Sequence, residues 1–186
     1  MPAPPYDTTV EQLGDFGVPE PLVGRVARQQ PPVGPPPPPG SPLDRALPPR
    51  IRPDADYANR RDVLTSDIPS EGTMSARGAA LVYAALLGHA DGVELVSPAR
   101  RARMAAVQFQ GQDQVMGFPS TWAFGFSPQR PGSTFGMVGT NGSAAYADID
   151  TGVAVAVMRN RFDSDLAVVR EIDRIVADTC GPHFAP

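Results

Sequence analysis

Between residues 28 and 53 the chain reads RQQPPVGPPPPPGSPLDRALPPRIRP, and a segment of that kind builds no packed core. Each proline lacks the amide donor that a helix or sheet ladder needs, and its ring favours extended, solvated backbone. The chain is therefore expected to have two parts. Residues 1–50 form a proline-rich leader, largely disordered apart from a short helix in TTVEQLGDFG, and residues 51–182 form one domain of ordinary size. The leader reads as a linker rather than as a ligand for a proline-binding domain.

Beyond Ile51 the pattern becomes periodic. In GTMSARGAALVYAALLGHADG, residues Ala79, Val82, Tyr83, Leu86 and Leu87 recur at the spacing of one buried helical stripe, with Thr73 or Ser75 as N-cap and Gly88 as the stop. A second helix is predicted in SPARRARMAAV, where Ser97 caps and Pro98 takes the first helical position, the place where a missing N–H costs least. STWAFGF, SAAYADI and GVAVAVMRN then read as strands, and DIDTG as a hairpin turn with Gly152 in the left-handed region. DSDLAVVREIDRIVADTCG closes the chain as an amphipathic helix, capped by Asp163, striped by Val168, Ile172, Ile175 and Val176, and stopped by Gly181. The fold class is α+β: an antiparallel sheet with flanking helices, the last helix laid across it.

Charge excludes several functions. The net charge is -4, which gives no electrostatic footprint for nucleic acid or an anionic membrane surface. Arg100, Arg101 and Arg103 read as a solvated helical face. All 16 basic residues are arginine, so the chain contains no lysine. Cys180 is the single cysteine, which rules out an internal disulfide and every multi-cysteine metal site. No basic and apolar leader or membrane-length apolar run is present, and the expected location is the cytoplasm.

Residues 135–143, FGMVGTNGS, place Gly136, Gly139 and Gly142 at every third position. A phosphate-binding P-loop needs a lysine, and a dinucleotide fingerprint needs GxGxxG ahead of a helix, so neither fits. A GxSxG nucleophile elbow is absent. His89, just past a helix end, reads as a dipole partner or surface residue, and His183 as part of the tail. Asp148 and Asp150 point the same way, but turn formation explains Asp150 more simply than a shared ion does. No metal and no cofactor are expected.

The run STFGMVGTNGSAAYADIDTGVAVAVMRN, preceded by DIPSEGTMSARGAALVYAALLG and VELVSPARRARM, resembles the C-terminal half of the serine β-lactamase-related family. That family holds class C β-lactamases, D-alanyl-D-alanine carboxypeptidases and esterases, and the likeness covers roughly residues 60 to 180. It implies a partial β-lactamase or transpeptidase-like fold. It also implies that Met137, Val138 and Gly139 stand where the family carries a Lys-Thr-Gly or His-x-Gly triplet on the strand that edges the active site. The amide N–H of Thr140 is then one of two oxyanion donors, a role needing backbone rather than side chain.

Two departures matter. Met137 replaces the cation of the triplet. The family's nucleophile lies in Ser-x-x-Lys, where one helical turn sets the lysine amine beside the serine oxygen, and a chain without lysine has no such motif. The catalytic residues of this chain are thus unknown. Tyr57, Ala58 and Asn59 have the letters of the family's Tyr-x-Asn motif, but they lie too close to the GTMSAR helix to match it. Two function classes stay open. One is a serine hydrolase relative of the esterase branch, nearly inactive as an isolated chain, facing a small ester or amide substrate. The other is a non-catalytic binding or complementation module, completed by a protein partner.

Overall fold

The computed structural model describes residues 36–64, 74–128, 130, 132–139, 142–159 and 167–180. The helix expected in TTVEQLGDFG, and the caps Thr73, Asp163 and Gly181, lie outside these residues. Within them the order is α1 (Pro42–Ala46), a 3-10 turn (Pro49–Ile51), α2 (Ala55–Ala58), α3 (Arg61–Leu64), α4 (Ala76–Leu87), α5 (Pro98–Ala105), β1 (Phe109–Gln112), β2 (Pro119–Trp122), β3 (Thr134–Val138), β4 (Ala144–Asp148), β5 (Val153–Val157) and α6 (Ala167–Cys180). No helix among the described residues is long and apolar enough to cross a membrane.

Local chemistry sets the helix ends. Ser75 Oγ accepts the amide of Gly78, so Ser75 caps α4, and Gly88 closes that helix in the left-handed conformation. Ser97 Oγ accepts the amide of Arg100 at the start of α5, with Pro98 in the first helical position. Each hydroxyl satisfies an amide that would otherwise have no partner in the helix.

Strands β3, β4 and β5 form one antiparallel sheet in sequence order, with Gly136 opposite Tyr146 and Tyr146 opposite Val155. Side chains alternate between its faces, so one ladder serves two cores. Toward α6, Ala144, Tyr146, Val155 and Val157 pack with Val169, Ile172, Val176 and Ala177. Toward α4 and α5, Phe135, Ala147 and Ala154 meet Leu87, Ala105, Tyr83, Leu86, Met104 and Phe126. Small alanines on the second face let α4 come close, and Phe135 fills what they leave, with its ring 6.0 Å from Tyr83 and 5.5 Å from Phe126. The arrangement is helix, sheet, helix, the expected α+β class with the final helix across the sheet.

Two stripes differ from the sequence reading. Val82 is 52% exposed on α4, while Ala85 is buried in its place. On α6 the row facing the sheet is Val169, Ile172, Asp173 and Val176, whereas Val168 and Ile175 are about half exposed. The cause on α6 is Asp173. Its carboxylate accepts the hydroxyl of buried Tyr146, and that bond fixes the helix rotation with a charged residue inward. Burial pushes the Asp173 carboxyl above its usual range, partly offset by the tyrosine hydroxyl, and burial together with Asp173 pushes the Tyr146 hydroxyl up as well.

A separate two-stranded hairpin, β1 with β2, falls where the sequence predicted only the second strand. The predicted STWAFGF strand stops at Trp122, since Ala123 donates its amide to Phe126 O at 2.8 Å and the chain turns. Asp113 clips the hairpin: its carboxylate accepts the amides of Val115 and Met116 and the indole N–H of Trp122, each at 2.8 Å. These three donors hold the Asp113 carboxyl below its ordinary range.

A β-carbon placed at Gly136 would lie 2.3 Å from Cβ of Tyr146 and 2.4 Å from Ala145 O. Gly136→Ala is expected to force the strands apart and lower stability by about 3 kcal/mol or more, read as a shift in the urea midpoint. Asp173 makes a pH prediction. Because its folded pKa is raised, its contribution is complete below the ordinary carboxylate pKa of about 4 and is lost as pH rises through the folded value. The stability of the native sequence minus that of Asp173→Asn should therefore fall as pH is raised from about 3 toward neutrality. A difference that grows over that range would contradict the assignment.

Candidate functional site

Strand β3 is one of the two outer strands of its sheet among the described residues, and its far end carries three of the four residues singled out from the sequence. Met137 is 42% and Val138 is 36% exposed, and Gly139 follows them out of the strand. Thr140 lies outside the described residues. The hydrogen-bond phase tells which backbone groups face which way. Ile149 donates its amide to Ser133 O at 3.0 Å and Gly139 donates to Ser143 O at 2.7 Å, so the odd-numbered residues of this strand bond inward to β4. Thr134, Gly136 and Val138 then direct their backbone N–H and C=O away from β4. Gly136 O accepts the amide of Ser127 at 2.9 Å, whereas Val138 meets no backbone partner among the described residues. That end of the strand is an open edge, the kind of surface on which an extended ligand finds donors and acceptors.

The turn beyond it is held tightly. Gly142 donates its amide to Gly139 O at 2.9 Å and has φ 77°, a conformation that glycine adopts without steric cost. Arg159, just past β5, lies against it: a β-carbon on Gly142 would come 2.3 Å from a guanidinium nitrogen. The Arg159 amide also donates to Ser143 Oγ at 3.1 Å. A cation thus sits at the tip of the hairpin. The spacing of the glycines alone does not reveal this, and the arginine gave no motif signal.

The remaining candidates find local explanations. His89 Nδ1 is 3.0 Å from Gly152 O, so the ring nitrogen donates and fastens the end of α4 to the β4–β5 turn. His183 lies outside the described residues. Asp148 is fully buried and accepts the amides of Asp150 at 2.8 Å and Thr151 at 3.3 Å, which makes it the organiser of that turn. Arg130 pairs with Asp150 and stands 4.0 Å from Asp148, so a guanidinium occupies the space between the two carboxylates. Tyr57 donates its amide to Asp54 at 2.7 Å, Asn59 bonds Ala55 O through its side chain at 2.8 Å, and Arg60 stacks over the Tyr57 ring. Tyr57 and Asn59 thus both serve one short helix. The arginines of α5 diverge: Arg101 turns to Glu94 and Val96 O, while Arg103 covers Phe124.

With this geometry in place, the comparisons with known proteins agree on one family. The β-lactamase family model matches residues 12–178. A solved structure of a family VIII carboxylesterase is 26% identical with a TM-score of 0.56, over 62% of this chain and 34% of that one. The chain thus spans about a third of the length of that solved relative. No curated protein matches it. The fold is accordingly a partial β-lactamase-like one.

Replacing Gly142 tests the hairpin tip. Gly142→Ala forces a side chain into the left-handed region and displaces the Arg159 guanidinium, at a cost of about 1–2 kcal/mol. Amide chemical-shift changes should concentrate at Gly139, Ser143 and Arg159. Changes spread evenly over the sheet would mean that the turn is not the local unit described.

Proposed function

Because the chain belongs to the β-lactamase family, we propose that it supplies the substrate-facing wall of a serine hydrolase of the esterase branch. The observation that carries this is the exposed end of β3, where Met137, Val138 and Gly139 run along an open strand edge. In this reading the substrate lies against that edge. The resemblance makes the backbone N–H of Thr140 an oxyanion donor to the carbonyl oxygen, on which negative charge develops as the tetrahedral intermediate forms. Met137 presents a flexible apolar side chain where the family carries a cation. That choice favours a neutral ester over a substrate that must be held by its carboxylate.

The attacking serine and the lysine that takes its proton come from residues outside these 186, since no lysine stands among them. The chain then contributes binding and oxyanion stabilisation, and the nucleophile comes from a longer protein or a second chain. Loss of the nucleophile in a serine hydrolase costs on the order of 10^6 in turnover. Purified protein should therefore hydrolyse p-nitrophenyl acetate, p-nitrophenyl butyrate and a chromogenic cephalosporin at the rate of buffer. Turnover that disappears when one of its own serines is changed to alanine would overturn the assignment of the nucleophile to another segment.

A second reading, a non-catalytic module completed by a partner, draws support from the apolar side chains left at the surface. Leu81, Val82, Phe118 and Phe124 are each more than half exposed. Light scattering after size exclusion separates the two. A stable monomer with one sharp, cooperative unfolding transition argues against an obligatory partner.

A further inference from the structure

The second outer strand of the sheet, β5, has the composition of an inner one. Val153–Val157 reads VAVAV, with no charged residue and no proline. Strands that must stay at an edge carry such residues, because a bare row of N–H and C=O groups recruits another strand. Both faces of β5 are covered. Val155 and Val157 pack with Val169, Ile172 and Val176 of α6, and Ala154 packs with the cluster around Leu87 and Phe135. Apolar residues on both faces mark a strand with neighbours on both sides. One neighbour is β4. The hydrogen-bond phase of β3 carries through the register: the even-numbered residues of β4 bond away from β3, so Val153, Val155 and Val157 opposite them bond inward. Ala154 and Ala156 then turn N–H and C=O outward, where neither meets a backbone partner among the described residues. On β3 the preceding chain already fills much of the edge, since Thr134 donates its amide to Arg130 O at 3.0 Å and Gly136 O accepts that of Ser127 at 2.9 Å.

We propose that the outer edge of β5 pairs antiparallel with β5 of a second copy of this chain, joining two three-stranded sheets into one. The register of the strand itself selects that occupant. About a two-fold axis through Val155, Ala154 stands opposite Ala156 of the partner subunit and Ala156 opposite the partner's Ala154, the residues whose backbone points outward. Each pair exchanges both of its hydrogen bonds, so every outward donor and acceptor of β5 is matched and none is left over. Such an axis runs perpendicular to the sheet and keeps each face on its own side. Valine then meets valine beside α6, small alanines meet beside α4, and no charge is brought into the seam. One partner uses up the edge, so assembly stops at two copies. The interface does not depend on the hydrolase reading.

Light scattering of the full chain over a wide range of concentration should show the mass rising from the 19.7 kDa of one chain toward twice that value. Amide exchange followed by NMR on the same samples locates the contact. Ala154 and Ala156 should be protected when concentrated and exchange about tenfold faster or more on dilution, while Val155, bonded to β4, keeps its rate. Ala156→Pro removes an outward donor from each copy and no bond to β4, and should weaken the dimer about tenfold or more. Val138→Pro, at the outward position of β3, should leave the dimer as it was. Circular dichroism checks that both variants fold, and if Ala156→Pro does not, the exchange rates of the native chain decide. A monomer at every concentration overturns the proposal. So does protection of Ala154 and Ala156 that survives dilution, which would mean that a segment of the same chain covers the edge. Growth beyond two copies, or a dimer dissolved by Val138→Pro and untouched by Ala156→Pro, overturns it as well.

Discussion

Tyr146 can lie where it does only because Gly136, directly across the ladder, has no side chain. Its ring is almost wholly buried, and its hydroxyl reaches Asp173 on the helix that covers the sheet. Those two contacts tie three elements together: β3 is held close, β4 supplies the ring, and α6 is turned so that a carboxylate faces inward. A buried carboxylate without such a donor would be strongly destabilising. The rotation of α6 therefore answers to this hydroxyl as well as to its apolar residues.

The same constraint shapes the end of β3. Gly136 belongs to the core contact, Gly142 to the turn against Arg159, and Gly139 bonds inward to Ser143. Two of the three glycines thus have architectural reasons that need no ligand. What the strand leaves open is its outward backbone at Val138, together with the exposed apolar side chain of Met137. Arg130 steadies the opposite end of the sheet by filling the gap between Asp148 and Asp150, and His89 pins the nearby turn to α4. The result is a braced three-stranded sheet whose β3 edge meets no backbone partner at Val138 among the described residues.

The caps at Ser75, Gly88, Ser97 and Pro98 were legible because each depends on one residue and its immediate neighbours. The β4–β5 hairpin was legible for the same reason, as alternating strands flank a turn with Gly152. Face selection was not. On α4 nearly every residue is apolar, so periodicity cannot choose between Val82 and Ala85, and the sheet makes the choice. On α6 the decision lay in a tyrosine 27 positions away in sequence, a distance no local pattern spans. Strand β1 did leave a signal: Val107, Phe109 and Gly111 alternate with glutamines in VQFQGQ, a period of two that is weaker than the aromatic run after it. Arg159 at the hairpin tip left none, because its role comes from packing on Gly142.

The clip in the small hairpin bears on how this protein is observed. Trp122 is the single tryptophan of the chain, and its indole N–H is bound to the Asp113 carboxylate rather than to anything in either core. Intrinsic emission thus reports first on the β1–β2 ribbon. Protonation of Asp113 on acidification would release the indole N–H and change that emission. Circular dichroism, which weights the helices, and tryptophan light would then report different events in the same molecule.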